Sequence, residues 1–481
     1  MTLADLMGAG APGVEVTSLA ASTARVEPGA LFFCVPGFRS DGHLFAPEAV
    51  ARGAVALVVE RPLGLGVPEV VVPSVRAAMG PVAARFHGDP TATLRVVGIT
   101  GTNGKTTTAF LVRALLESAG RRTGLLGTVT SVVGGRSEPV ERTTPEALDL
   151  QAAFRRMLDA GDEACAMEVS SHALELGRAE GTRWACRVFT NLTQDHLDFH
   201  PTMEDYFLAK RRLFAGPGPS VVNRDDPYGR RLAGEVPGAV TYGLEAGADY
   251  RARDVAFDAT GTSFTCDTPD GPLDLALPLP GLFNVQNALA AVAAARALGV
   301  GADAIRRGLA VAERVPGRFQ PVDEGQDFAV LVDYAHTPEA LDTVLRAARH
   351  ITRGRLWVVF GAGGDRDRSK RPRMGKAARA LADRVIVTSD NPRSEHPEAI
   401  VRDVLAGAGE GAEAIVDRRE AIARAVGQAA PGDVVVVAGK GHEQGQELAD
   451  GHTEPFDDVT VVREALRARA GRAPATAGSR P

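Results

Sequence analysis

Four cysteines in 481 residues, Cys34, Cys165, Cys186 and Cys266, stand far apart with no C-x-x-C spacing. Neither a zinc site nor a disulfide framework follows from that pattern, and reduced core residues are expected. The chain has no run of about 18 apolar residues, and its N-terminal MTLADLMGAGAPGVEV has no basic stretch followed by an apolar one, so neither a membrane span nor a secretory signal is expected. That predicts a cytoplasmic protein. An excess of positive charge is missing as well: Lys plus Arg number 54 against 60 Asp plus Glu, net −6. No global basic field draws nucleic acid or an anionic membrane, and an anionic ligand needs a local basic site. Internal repeats are absent.

What is there is length and an alternating pattern. A chain of 481 residues exceeds the size at which one core keeps growing, so about two to four domains are expected. GALFFCVPG, FAPEAVARGA, VALVVE, EVVVP and VRAAMGPVAARFHG alternate β-rich and helical runs up to the turn HGDPTATL, a boundary near residue 90. A second series, 91–314, runs through EACAMEVSS, CRVFTNL and PSVVNRDD, adds the hairpin-like RARDVAFDATGTSFTCDTPDGPLDLALPL, and takes NVQNALAAVAAARALG as its last helix. A third, 315–470, contains FAVLVDYA, PEALDTVLRAARHI, RLWVVFGAGG, DRVIVTSDN, two helices and DVVVVAGKG. The remainder, 471–481, reads as a disordered tail. Strands alternating with helices imply an α/β protein of mostly parallel or mixed, helix-covered sheets, with ligands beyond the strand C-termini.

The second series opens with TGTNGKTTT, Thr100–Thr108, between the apolar LRVVGI and the helix-like AFLVRALLESAG. A tight Gly turn between a strand and a helix N-terminus aims unpaired N–H groups at one spot, which suits a phosphate. Lys105 adds a charge, Thr106 or Thr107 a hydroxyl for Mg²⁺, and Gly101 and Gly104 let the backbone approach closely. The strict G-x-x-x-x-G-K-[ST] spacing would need Gly where Ile99 stands, so the motif is the shorter G-T-N-G-K-T; an ordinary strand-to-helix turn is the alternative. Further on, Glu168 closes ACAMEVSSH, Asp195 and His196 follow RVFTNLTQ, and Lys210 lies in the helical EDYFLAKRRLF. A carboxylate and an imidazole beside a phosphate loop suit a second metal position. Singly, these residues also read as a helix cap, a loop histidine and a solvated lysine.

Together, GTNGKTT, ERTTPEALDL, MEVSSHALELGR, TNLTQDHLDFH, YFLAKRRLF, LPGLFNVQNALAA, DYAHTPEAL, GAGGDRDRSKRP, DNPRSEHPEAI and AGKGHEQGQE, in this order, resemble the Mur ligases that build peptidoglycan stem peptides. The match runs from Pro28 to Asp458 and is strongest to the branch that adds diaminopimelate to UDP-N-acetylmuramoyl-L-alanyl-D-glutamate. The resemblance implies three domains: an N-terminal UDP-sugar domain (1–90), a central P-loop ATPase (91–314) and a C-terminal Rossmann-like amino-acid domain (315–470). It implies a monomeric ligase that uses ATP and Mg²⁺ to activate a carboxylate as an acyl phosphate, which an incoming amine attacks. The anionic carboxylate and γ-phosphate repel each other, so fixed cations and Mg²⁺ must neutralise both.

On this resemblance Gly101, Thr102, Asn103, Gly104, Lys105, Thr106 and Thr107 hold the ATP phosphates, with Thr106 on one Mg²⁺. Glu168, His196 and a carbamylated Lys210 hold a second. Asn287, Arg318, Asp333 and His336 match further nucleotide contacts, although Asn287 also reads as a polar helix N-terminus and Asp333 as a strand-end cap. Thr143, Thr144, Ser170 and Arg178 match the grip on the UDP-sugar peptide, and Thr23 and Ser40 its uridine end, where STAR, Ser22–Arg25, stands in place of the family's usual Asp-Ser-Arg.

Arg366, Asp390, Asn391, Pro392, Arg393, Gly439 and Glu443 match the pocket for the incoming amino acid. There Arg393 is expected to take the far carboxylate of diaminopimelate through two parallel N–H···O bonds, and a lysine would leave its guanidinium unpaired. GAGGDRD lacks G-x-G-x-x-G and a ribose-binding acid, which disfavours a dehydrogenase. A lysine-adding Mur ligase, a folylpolyglutamate-type ligase and a non-catalytic nucleotide-binding protein are the alternatives. HALELGR with DNPR argues against the folate reading, and Glu168, His196 and Lys210 together against the last.

Overall fold

The computed structural model describes residues 1–8, 10–37 and 40–471. Near the N-terminus, strands Ser18–Ala20, Ala30–Phe33, Ala54–Val59 and Glu69–Val71 form a four-stranded sheet in chain order, every pair parallel. All four residues of Ala30–Phe33 are buried, the signature of a strand covered on both faces. Helix Leu3–Met7, closed by a capping box between Thr2 and Asp5, and strand Ser18–Ala20 precede the pattern legible in the sequence. Five and three residues are too few to establish a period.

The central sheet has eleven strands. Strand Arg95–Thr100 lies in its middle between Ala164–Glu168 and Trp184–Phe189, parallel to both. Parallel pairing extends from Thr123–Leu126 on one side to Tyr250–Phe257 on the other, and antiparallel hairpins close both edges. The expected hairpins are strands Tyr250–Phe257, Thr262–Asp267 and Leu273–Leu277.

Helix Leu282–Ala297 is buried nearly all round because Ala288, Ala290, Ala291, Ala293, Ala294 and Ala295 let neighbouring backbones close in. It packs against helix Lys105–Ser118, which grows directly out of the glycine turn. One correction concerns the end of this series. Helix Leu282–Ala297 is followed by Ala302–Ala310, whose Ile305 and Leu309 join the same core. The turn between them is only residues 298–301, so the second helix lies just beyond the run read as the last one.

The third sheet runs Gln320–Pro321, Ala329–Asp333, Val434–Ala438, Leu356–Phe360, Arg384–Val387, Glu413–Ala414, parallel except at its first pair. Its strand ends are tied by one buried ion pair. Arg418 donates to both carboxylate oxygens of Asp458 at 2.8 and 2.7 Å and to the carbonyls of Ser389 and Ala438 at 3.3 and 3.0 Å, with both side chains fully buried. Helix Asp458–Ala470 starts at that carboxylate. Of the expected tail only Gly471 is described; 472–481 lie outside the described residues.

Removing one member of a buried pair strands the other charge. Arg418→Met is expected to cost about 3–5 kcal/mol in urea unfolding, and Arg418→Met with Asp458→Leu to recover much of that. A single-mutant loss below about 1 kcal/mol, the range of exposed pairs, contradicts this.

Candidate active site

The glycine turn lines a cleft of about 450 Å³ between the central and third sheets. At Gly104 φ is +85° and an added Cβ would sit 2.4 Å from Asn287 Oδ1, so only glycine fits. The loop is clamped from outside. Thr102 N donates to Asn191 O and Asn103 N to Asn191 Oδ1, both at 2.9 Å, and Thr190 Oγ1 donates to Asn103 O at 2.6 Å. The first amides of helix Lys105–Ser118 therefore face a preformed cradle.

Lys105 is half-buried rather than a free loop cation. Its Nζ curls back to the carbonyls of Gly101 and Thr102 at 2.9 and 2.8 Å. Lys210, on helix Met203–Arg211, is fully buried, and its Nζ donates to the same Gly101 carbonyl at 2.9 Å while lying 4.5 Å from the Tyr206 ring centroid. Burial first, then the charge of Lys105, push the Lys210 ammonium well below its usual range; burial lowers Lys105 too.

Glu168 ends strand Ala164–Glu168 inside the cleft and accepts from Thr128 N at 2.7 Å and Thr128 Oγ1 at 3.0 Å. His196 holds a left-handed φ of +54° and stands 3.3 Å from Asp195, which also faces His336 at 3.8 Å. Loss of water pushes the His196 imidazole down, against the opposing charge of Asp195, so it is neutral. Among the described residues no three His, Cys, Asp or Glu form a metal-ready cluster. A hard cation here needs oxygens from phosphates and water besides Glu168, which is how Mg²⁺ is commonly held.

The other expected nucleotide residues fall on the cleft wall. Arg318 reaches across from the third unit, NH2 to Thr106 Oγ1 at 3.3 Å, with its guanidinium 4.4 Å from the Tyr334 ring centroid. Asn287 lies beneath the loop, accepting from Thr108 Oγ1 at 3.4 Å and donating to Asn284 Oδ1 at 3.2 Å. Asp333 does cap its strand: its oxygens accept from Phe319 N at 2.6 Å and Ala335 N at 2.8 Å.

Thr107, Thr143 and Ser170 also line the cleft. Thr144 is buried behind them, donating to Glu168 O at 2.9 Å and accepting from Ser170 N at 3.1 Å, and Arg178 pairs with Glu146 at 3.0 Å. Thr23 and Ser40 belong to the N-terminal unit and are not on this cleft.

The amino-acid set gathers at the strand ends of the third sheet, where Gly364 approaches so closely that a Cβ would meet Pro392 O at 1.9 Å. GAGGDRD is thus a seat for the DNPR turn. Buried Lys440 donates to Asn391 Oδ1 at 2.8 Å and Glu443 Oε2 at 2.9 Å, and Asn391 Nδ2 donates to Glu443 Oε2 at 2.9 Å. Asp390 is held below the usual carboxylate range: burial works against its charge, but Lys440 and Arg418 outweigh it. Its Oδ2 is buried without a hydrogen-bond partner. Gly439 N donates to Asp333 O at 3.1 Å, and Arg366 NH1 to Asp365 O at 3.1 Å.

Arg393 already has partners within the protein. Its fork is not empty: Nε donates to Glu447 Oε2 at 2.7 Å and NH1 to Gly364 O at 2.9 Å. The two sites adjoin, since Tyr334, on the cleft wall, feels the charges of Glu443 and Asp390 as well as that of Asp195.

Several cleft residues were not singled out from the sequence: Thr128, Thr190, Asn191, Asn223, Asp225, Gln286 and Tyr334. TNLTQDH and DYAHTP, both quoted as motifs, already contained three of them. Gln194 bridges the units, donating to Asp367 Oδ2 at 2.9 Å and Ser369 Oγ at 3.3 Å.

A phosphate cradle on the central sheet beside a charged polar cluster at the strand ends of the third sheet is the architecture of an ATP-dependent ligase. The chain matches "Mur ligase family, catalytic domain" over residues 15–87, "Mur ligase middle domain" over 99–295 and "Mur ligase, glutamate ligase domain" over 317–441. It is 48% identical over 471 residues, 95% of this chain and 96% of the relative, to UDP-N-acetylmuramoyl-L-alanyl-D-glutamate–2,6-diaminopimelate ligase of Geobacillus thermodenitrificans. A solved structure of a ligase of that same name aligns with a TM-score of 0.71 at 36% identity, covering 98% of this chain and 99% of that one. Folylpolyglutamate synthase of Mycobacterium tuberculosis, complexed with ADP and AMPPCP, shares the fold at 20% identity and a TM-score of 0.62, over 83% of this chain and 96% of that one. The chain belongs to the Mur ligase family.

Because Gly104 holds a left-handed φ against Asn287, Gly104→Ala is expected to weaken ADP binding by about tenfold or more in calorimetric titration. Unchanged affinity contradicts the cradle geometry.

Proposed function

We propose that the chain is the ATP-dependent amide ligase that adds meso-diaminopimelate to UDP-N-acetylmuramoyl-L-alanyl-D-glutamate in peptidoglycan precursor synthesis. The observation that carries this reading is the adjacency of the two sites. Tyr334 and His336 line the phosphate cleft, and the charges of Asp390 and Glu443 reach Tyr334 while His336 reaches Asp390, so an activated carboxyl and an amine can be brought together. We read residues 1–90 as the UDP-sugar unit, with Thr23 and Ser40 at its uridine end, 91–314 as the ATPase and 315–470 as the amino-acid unit. The protein is taken to act as a cytoplasmic monomer.

The chemistry is two displacements. An acceptor carboxylate oxygen attacks the γ-phosphorus of ATP, the bond to the β-phosphate oxygen breaks, and ADP leaves an acyl phosphate. The amine lone pair then attacks the acyl carbon, phosphate departs, and the nitrogen loses a proton. Residues 101–107 hold the polyphosphate, with Lys105 turning from its loop carbonyls toward it and Arg318 supplying a second cation. Asn287, Asp333 and His336 line the nucleotide end. Thr143, Ser170 and Arg178 grip the peptide beside Glu168, and Thr144 supports them from behind.

Thr106, Glu168, His196 and a carbamate on Lys210 are the positions for Mg²⁺, which supplies charge neutralisation on the phosphates. The buried Lys210 amine, with a single backbone acceptor, fits reaction with CO₂ to give a carbamate and a proton. At the amine site, Asp390 Oδ2, buried and unpartnered, suits an ammonium, as does Glu443. Arg366, Asn391, Pro392, Arg393 and Gly439 complete the pocket.

The decisive experiment is phosphate release from ATP with the UDP-sugar dipeptide and a panel of amines. Diaminopimelate is expected to drive turnover; lysine, ornithine or folate with glutamate doing so instead would overturn the assignment. Lys105→Ala is expected to lose about 10²–10³ in kcat at an unchanged melting temperature, and near-normal turnover would remove the loop's role. Lys210→Ala is expected to lose activity that millimolar formate or acetate partly restores by supplying the missing carboxylate. Full activity without added carboxylate contradicts the carbamate.

A further inference from the structure

Glu447 sits in the hairpin of Gly445–Glu447 and Thr453–Pro455 that folds over the DNPR turn. Its main chain is pinned: Glu447 N donates to Asn391 Oδ1 at 3.0 Å and Arg393 N donates to Glu447 O at 3.1 Å. Next to it, Gln446 Nε2 donates to Ser389 Oγ at 2.9 Å. Its carboxylate is not pinned. The side chain is 43% exposed against 19% for Arg393, and among the described residues the one polar contact of its carboxylate is the 2.7 Å bond from Arg393 Nε. Arg393 holds a left-handed φ of +53°, and its NH1 is turned to Gly364 O at 2.9 Å. The Nε edge of the fork, one of the two edges that take a carboxylate through parallel bonds, is therefore occupied by a carboxylate of the protein itself.

We infer that Glu447 is a built-in competitor for the far carboxylate of the incoming amino acid, and that it sets both the affinity and the selectivity of the pocket. The inference rests on the assignment of Arg393 to that carboxylate. Diaminopimelate must displace Glu447 to gain the Nε edge of the fork, and its affinity there is scaled down to the fraction of time that edge is open. A lysine displaces nothing. It leaves the Arg393–Glu447 pair intact, so no guanidinium is stranded, and the Glu447 carboxylate attracts its side-chain ammonium. Glu447 thus weakens the preferred substrate and shelters the rejected one, making the pocket less selective than a free arginine would be.

The test compares steady-state kinetics for diaminopimelate, lysine and ATP in the wild type, Glu447→Gln, Glu447→Ala and Arg393→Ala, and in Arg393→Ala with Glu447→Gln. Both Glu447 variants are expected to lower the KM for diaminopimelate about two- to fivefold, the scale of one exposed ion pair. The KM for ATP should hold, and the diaminopimelate-to-lysine ratio of kcat/KM should widen. In the Arg393→Ala background Glu447→Gln should no longer lower the KM for diaminopimelate. A KM for diaminopimelate that stays or rises, a ratio that does not widen, or an equal gain without Arg393 overturns the inference. If Arg393→Ala alone leaves that KM unchanged, the pocket assignment fails first and the inference with it.

Discussion

Two lysine side chains donate to one carbonyl oxygen, that of Gly101, each at 2.9 Å. Two ammonium groups so close, one of them fully buried, repel with little water to screen them. Burial pushes both toward the neutral form, and the charge of Lys105 pushes Lys210 further still. In the proposed mechanism a polyphosphate would draw Lys105 outward and a carbamate would change the sign of Lys210; the two are compatible because the groups sit on different elements, the glycine turn and helix Met203–Arg211. The two amines on one carbonyl leave the turn with donors that an incoming anion can take up.

The surrounding fold serves to keep that arrangement in place and bring a second site to it. The turn is held from outside by Thr190 and Asn191, and from beneath by Asn287 on the alanine-packed helix. The third unit reaches the turn through Arg318 and the TQDH loop through Asp367 and Ser369. Its amino-acid residues are themselves fixed by buried charges, Lys440 on Asn391 and Glu443, and Arg418 on the carbonyls of Ser389 and Ala438. Cations thus organise both halves of the cleft, as a reaction between two anions and a zwitterion demands.

Much of this was legible in the sequence where chemistry and periodicity are local. The glycine turn between strand and helix, Glu168 at a strand end, Lys210 on a helix and the edge hairpins all stand where their patterns put them. Elements too short to show a period were missed, as were the separate helix Ala302–Ala310 and everything that depends on a distant partner. That Lys105 curls onto its own loop, that Thr128 holds Glu168, and that Glu447 fills the fork of Arg393 are contacts between residues many positions apart or choices among rotamers. Residue type alone does not specify them. The structural alternative held for Asp333, a true strand-end cap; for Asn287 the position is inside the helix, where it supports the turn.

In the proposed mechanism it is Lys210, not Lys105, that leaves the shared carbonyl by taking up CO₂. Carbon-13 NMR of the protein equilibrated with ¹³C-bicarbonate and Mg²⁺–ADP tests it without reference to turnover. One slowly exchanging carbamate carbon is expected in the wild type and in Lys105→Ala, and none in Lys210→Ala. No such signal in the wild type, or one that survives Lys210→Ala, would contradict it.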